Sequence, residues 1–257
     1  MRVYIHTSIW AVWAARISRP VVPLLLLGWA LHYIGYVSSS VFVAIIITAI
    51  LLSLLSMLCA LVAFVRIWYN GDAGWRTAFS GLLFGLSAIV FMAVGYLDTR
   101  YPRVADVTTS EIEIALAPTR TGQATTPSLV DENIFPNAQT RTYQTSSLTA
   151  REIIGNVSAS LGWSAKGEQQ IGAAETLFFF EAKTLLGFVD DVSLRVRETQ
   201  KNVIIDVRSA SRFGESDLGT NGKRISAFLA QVDAEVEEAR GVETVAEEVG
   251  ETEEPTN

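Results

Sequence analysis

A chain of 257 residues with a formal net charge of −7 has room for one large domain or two modest ones. Its hydrophobic residues, 49% of the total, concentrate before about residue 100, which suggests a membrane portion. Much of the acid lies beyond residue 232, so the net charge describes the tail more than a folded domain, and nothing in it points to nucleic acid. Cys59, the single cysteine, sits inside an apolar run and excludes a disulfide framework or a thiolate metal site within one chain.

Residues 1–20 combine Arg2, Arg16 and Arg19 with Ile9, Trp10, Val12, Trp13 and Ile17. This reads as a cytoplasmic tail or an interfacial amphipathic helix, without a convincing cleavage site for a signal peptide. Three transmembrane helices are expected within residues 21–97. Residues 21–37 form the first, and residues 41–65, which carry no charge, form the second, ample for ~30 Å of hydrocarbon. Residues 78–97 form the third. Gly81 and Gly85 make a G-x-x-x-G pair there, read first as close packing within the chain and second as a contact between copies in a homo-oligomer.

Lys and Arg counts set the orientation. Arg2, Arg16, Arg19, Arg66 and Arg76 fall on one side, against Arg100 and Arg103 on the other. The bias puts the N-terminus in the cytoplasm and the C-terminal domain outside, which in a bacterium means the inner membrane and the periplasm.

Residues 98–149, rich in Thr, Ser, Pro and Ala, read as a linker or surface strap, with Ile112, Ile114 and Leu116 alternating briefly like an edge strand. An α+β domain follows over 150–239: a small antiparallel sheet flanked by two helices. Thr149 caps a helix ending at Gly162, and strands are expected over 163–170 and 177–184, the latter holding Phe178, Phe179 and Phe180. Those phenylalanines are core or dimer face before they are a ligand box. In the next pair of strands Val192, Leu194 and Val196 alternate with Asp191, Ser193, Arg195 and Arg197, and Val203, Ile205 and Val207 alternate with Ile204, Asp206 and Arg208. This is a hairpin with one buried and one wetter face. Ile225, Phe228, Leu229, Val232 and Val236 then recur at helical spacing. Residues 240–257, dense in glutamate, read as a solvated, disordered tail.

The runs Phe188-Val189-Asp190-Asp191-Val192, Val207 through Asn221 (VRSASRFGESDLGTN) and Lys223-Arg224-Ile225 resemble the signature of domain of unknown function family 1499. Some members carry N-terminal membrane helices, and their last helix is followed by a Pro-x-x-x-Asp element that here reads Pro102 to Thr109 (PRVADVTT). The acidic residue and Pro-Pro pair expected next are missing. The resemblance spans roughly residues 100–232 and implies a domain without an established activity.

The only histidines, His6 and His32, precede this domain, so Ser-His, Cys-His and His/Cys zinc chemistry are closed to it. Asp190 and Asp191 are adjacent on a strand and point to opposite faces, which argues against a shared acid–base role. No cofactor or metal is expected. Two readings of the polar segment remain. Arg208, Ser209, Ser211, Arg212, Asp217, Asn221 and Arg224 could surround an anionic or polar ligand at a helix N-terminus. Alternatively, Asp217 caps the helix or pairs with an arginine while Asp190 pairs with Arg224, locking the strand-to-helix turn. The function expected is a non-enzymatic role in the cell envelope, binding an anionic or amphiphilic molecule or docking an envelope protein. The alternative is an enzyme acting on an envelope substrate through an Arg/Asp site.

Overall fold

The computed structural model describes residues 6–98, 101–122 and 125–251, with side chains described up to residue 86 in the first stretch and 240 in the last. The chain divides into two units: residues 1–100 with Leu185–Phe188, and residues 101–184 with 189–257.

The first unit is helical. α1 (Ile9–Ser18) and α2 (Val21–Tyr33) form one apolar stretch broken at Arg19-Pro20, where proline's fixed φ and missing N–H favour a fresh helix start. α3 (Ser39–Asn70) follows and stops at Gly71, whose φ of 70° ends the helix in the left-handed region while its N–H returns to the Ile67 carbonyl. α4 runs over Trp75–Asp98. Among the described residues two stretches, Ile9–Tyr33 and Ser39–Asn70, are long and apolar enough to cross a membrane, so the expected three spans become two. The third expected span is helical, but the side chains of its second half, from residue 87, lie outside the described residues.

α1 packs on α3 and α4 through Ala11, Ala14 and Ala15, all buried. Small residues make this approach close. A Cβ on Gly81 would stand 2.6 Å from the Ala14 Cβ, and one on Gly85 would stand 2.5 Å from the Met57 Cβ. The Ser56 hydroxyl completes the junction by donating to the Ala14 carbonyl at 2.8 Å. The glycine pair therefore serves packing within the chain.

The second unit is built on a seven-stranded mixed sheet. Its strands are β1 (Asp106–Thr108), β2 (Ser128–Leu129), β3 (Arg141–Tyr143), β4 (Ser164–Gly172), β5 (Glu175–Lys183), β6 (Val189–Glu198) and β7 (Val203–Ser211). They lie in the order β2-β1-β7-β6-β5-β4, with β3 also on β7, and all pairs are antiparallel except β1 with β2. The expected four-strand antiparallel sheet is thus the larger part of the real one. The three additional strands come from the segment read as a linker. Each is three residues or fewer, too short for a period-two pattern to emerge from sequence.

Two helices cover one face: α5 (Ser147–Ser160) and α6 (Thr220–Glu251). Ser146, not Thr149, caps α5; its hydroxyl accepts from the Thr149 N–H at 3.0 Å. The core joins Val192, Leu194 and Val196 with Val203, Ile205 and Val207 from the sheet, and Ile154, Val157, Phe228 and Leu229 from the helices. Trp163, expected to open β4, instead enters this core and stacks on Phe228 with ring centroids 5.0 Å apart. α6 continues to Glu251, so residues 240–251 extend the helix rather than leave it as a disordered tail; 252–257 lie outside the described residues. No proline interrupts that stretch before Pro255, and Glu, Ala and Val tolerate the helix.

The opposite sheet face is not wet. β6 is buried on both sides, because residues 109–122 run across it as a strap. Ile114, 1% exposed, packs there on Leu177 and Phe179, a burial worth about 1.5–3 kcal/mol. The Phe triplet is split by strand alternation: Phe178 and Phe180 face the helix-side core while Phe179 meets the strap. At the far edge, every residue of β4 is exposed.

Candidate functional site

Strand alternation brings Asp106, Asp191, Arg195, Asp206 and Arg208 to the strap side of the sheet. Asp106 takes two hydrogen bonds from Arg208, 3.0 Å from Nε and 2.7 Å from Nη2, and Arg208 also donates to the Ile114 carbonyl. Beside them Asp206 receives Arg195 (2.8 Å) and Arg197 (3.0 Å), plus the Thr140 hydroxyl at 2.7 Å. Asp191 receives Arg120 at 2.7 Å and Arg212 at 2.6 Å, and Arg212 donates as well to Glu181. The hydrogen bonds that Arg212 donates to Asp191 hold its guanidinium protonated, well above the usual arginine range. A buried charge without a partner is costly, and each of these has one.

On the helix side the strand-to-helix connection forms a second network. Arg224 donates to Asp190 at 2.6 Å and to the Ser209 hydroxyl at 2.9 Å, as well as to the Asn221 side-chain carbonyl. Ser209 donates to Asn221 Oδ1 at 2.7 Å, while Asn221 Nδ2 donates to Ser211 Oγ at 3.0 Å and to the Ala105 carbonyl at 3.1 Å. Asp190 and Asp191 stand on opposite faces and serve different arginines. Asp217 caps α6 by accepting from the N–H groups of Gly219 (2.8 Å) and Asn221 (2.6 Å). Burial pushes its carboxyl above the usual aspartate range, against the pull of those two N–H donors. The turn between them needs positive φ at Leu218 (56°) and Gly219 (74°); for leucine this is a sparsely populated conformation.

Beside this cap lies a cavity of about 270 Å³ between β1, β2 and the start of α6. Val104, Val107, Leu129, Val130 and Phe135 give it apolar walls, and Asp131 and Asp217 are its only ionisable lining residues. A neighbouring groove of about 490 Å³ shares Phe135 and includes Tyr101 and Lys223, whose ammonium sits 4.4 Å from the Tyr101 ring centroid. Of the seven residues expected to bind a ligand, Asp217 lines the cavity. Arg208, Ser209, Ser211, Arg212, Asn221 and Arg224 are joined to protein partners instead. The residues missed from sequence, Leu129, Val130 and Phe135 among them, sit in the Thr/Ser/Pro-rich segment and show no regular spacing. Among the described residues no group of three His, Cys, Asp or Glu side chains could hold a metal.

No curated protein and no solved structure matches the chain. Within this unit residues 113–232 fit a family model, which spans most of the strap and of the helix-side core and the arginine networks apart from Asp106 and Ala105. With two long apolar helices ahead of it, that segment matches the family described as Protein of unknown function (DUF1499).

Proposed function

We propose that this is an integral membrane protein whose family domain faces outward and has a non-enzymatic binding role, taking an amphiphilic molecule of the cell envelope into the cavity beside the α6 cap. The observation that carries the reading is a division of labour. The arginines of the polar segment are neutralised by Asp106, Asp190, Asp191 and Glu181, while the neighbouring 270 Å³ space has apolar walls and polar groups only at Ser128, Asp131 and Asp217. Sites for small molecules have this composition, mostly apolar with a few placed polar groups. The arginine–carboxylate networks then act as scaffold, fixing β1, the strap and α6 around the cavity.

Membrane insertion is supported by the two long apolar helices, and outward placement by the Lys/Arg bias. An alkaline phosphatase fusion after Asn257 tests the placement. Activity is expected; an inactive but well-expressed fusion would put the domain in the cytoplasm and remove an envelope ligand from consideration. The enzymatic alternative is weaker, because each arginine it would use already has a carboxylate within 3.2 Å. Docking of an envelope protein is a second reading, favoured by β4. That strand is a nine-residue sheet edge with no strand beyond it among the described residues, open to strand addition.

A further inference from the structure

We infer that the cavity beside the α6 cap selects amphiphiles with a protonated amine head, the apolar chain lying between Leu129, Val130 and Phe135 and the ammonium meeting Asp217. The inference rests on the binding reading above and adds the ligand's charge. Among the described residues both ionisable groups lining the space are acids, and no basic side chain lines it. Arg224, whose charge reaches Asp217, is committed to Asp190 at 2.6 Å. Lys223 lies in the adjoining groove over Tyr101, so within the cavity's described lining an anionic head would meet Asp131 and Asp217, whereas an ammonium would meet carboxylate oxygens.

Asp217 is available for this contact. Each of its oxygens accepts one backbone N–H, at 2.8 Å from Gly219 and 2.6 Å from Asn221, which leaves further lone pairs on both. Its carboxylate is also penalised by burial, a penalty that an approaching ammonium would relieve. The walls resist collapse into the space: a Cβ on Gly222 would come within 2.5 Å of the Phe135 ring, so the helix backbone already holds that ring at contact distance. An apolar cavity that stays open is a standing site for an apolar chain.

The test uses the full chain in phospholipid nanodiscs with three photoactivatable probes of equal length: diazirine-bearing octylamine, octanol and octanoate. Mass spectrometry locates the label, which separates the cavity from the surrounding lipid. The amine is expected to label the segment containing Leu129, Val130 and Phe135 about tenfold more than octanoate, the scale of one favourable charge contact in a partly dry site. Unlabelled octylamine should compete. Leu129→Trp, at a half-exposed position that tolerates bulk, should abolish labelling there by all three probes. Asp217→Asn keeps one of the two cap acceptors and should remove the preference for the amine over octanol. Equal labelling by all three probes, or an Asp217→Asn variant that still prefers the amine, overturns the charge selection and leaves the binding reading standing. No cavity labelling by any probe overturns both.

Discussion

Asp106 and Arg208, 102 positions apart in the chain, face each other on adjoining strands through two hydrogen bonds of 3.0 and 2.7 Å, with side chains 1% and 4% exposed. The pair ties β1, at the entrance of the family domain, to the central strand β7. Because Arg208 also holds the Ile114 carbonyl, the same guanidinium fixes the strap.

Removing one partner alone should therefore be severe. Arg208→Ala strands the Asp106 carboxylate in a dry site and is expected to cost about 3–5 kcal/mol. The double variant Asp106→Leu with Arg208→Met, which removes both charges, should recover most of that loss. Thermal unfolding of the full chain in detergent reads both. Equal destabilisation by the single and the double variants would mean that the pair's hydrogen bonds, not charge compensation, matter.

Asp217 carries the opposite sign. Burial raises its carboxyl above the unfolded value of 3.8, so the folded state holds the proton more tightly than the unfolded one. Stability from this group is present at low pH and is lost as pH rises from 3.8 through the raised value. Asp217→Asn keeps only one of the two cap acceptors, so it should cost about 1 kcal/mol at pH 7 and should flatten that part of the pH profile. Stability measured between pH 3.5 and pH 7, about the range set by a raised aspartate, checks this; marked destabilisation at pH 7 would show that the charge on the cap outweighs its burial.

In the helical unit, Gly81 is the tightest prediction. A single methyl there meets Ala14 at 2.6 Å and the Ser56 hydroxyl at 3.1 Å. Gly81→Ala should cost about 1–3 kcal/mol, seen as reduced folded yield and a lower unfolding temperature in detergent. A variant indistinguishable from the parent would mean that α1 and α4 separate easily.

The strap gives a local readout. Ile114→Ala removes its apolar anchor between Leu177 and Phe179 and should cost about 2–5 kcal/mol. Hydrogen exchange over residues 109–122 should rise before exchange in β6 does, because the strap loses its anchor while the helix-side core stays intact. Simultaneous exchange of both would show that strap and sheet open as one unit.

How far these features could be read from sequence depends on whether their signal was local. The alternation in β6 and β7 and the spacing of Ile225, Phe228, Leu229 and Val232 are local, and they located the central hairpin and the helix behind it. The pairing of Asp190 with Arg224, and the capping of α6 by Asp217, followed from chemistry over short distances along the chain. What stayed hidden was long-range. Residues 98–149 have the composition of a linker, yet three short strands and Ile114 find partners far along the chain in β7, Leu177 and Phe179. That segment also turns the expected wet sheet face into a buried one and supplies most of the cavity wall. The brief alternation of Ile112, Ile114 and Leu116 marks an edge strand that the structure replaces with the irregular strap, and the other apolar residues are too irregularly placed for a period to announce them.

In the proposed function the cavity beside Asp217, rather than the arginine network, receives the ligand. A structure of the full chain in lipid nanodiscs with octylamine tests it most directly. Density is expected for the alkyl chain between Val130 and Phe135 with its head at Asp217. Density against Arg212 or Arg224 instead, with their pairing to Asp191 and Asp190 broken, would contradict it.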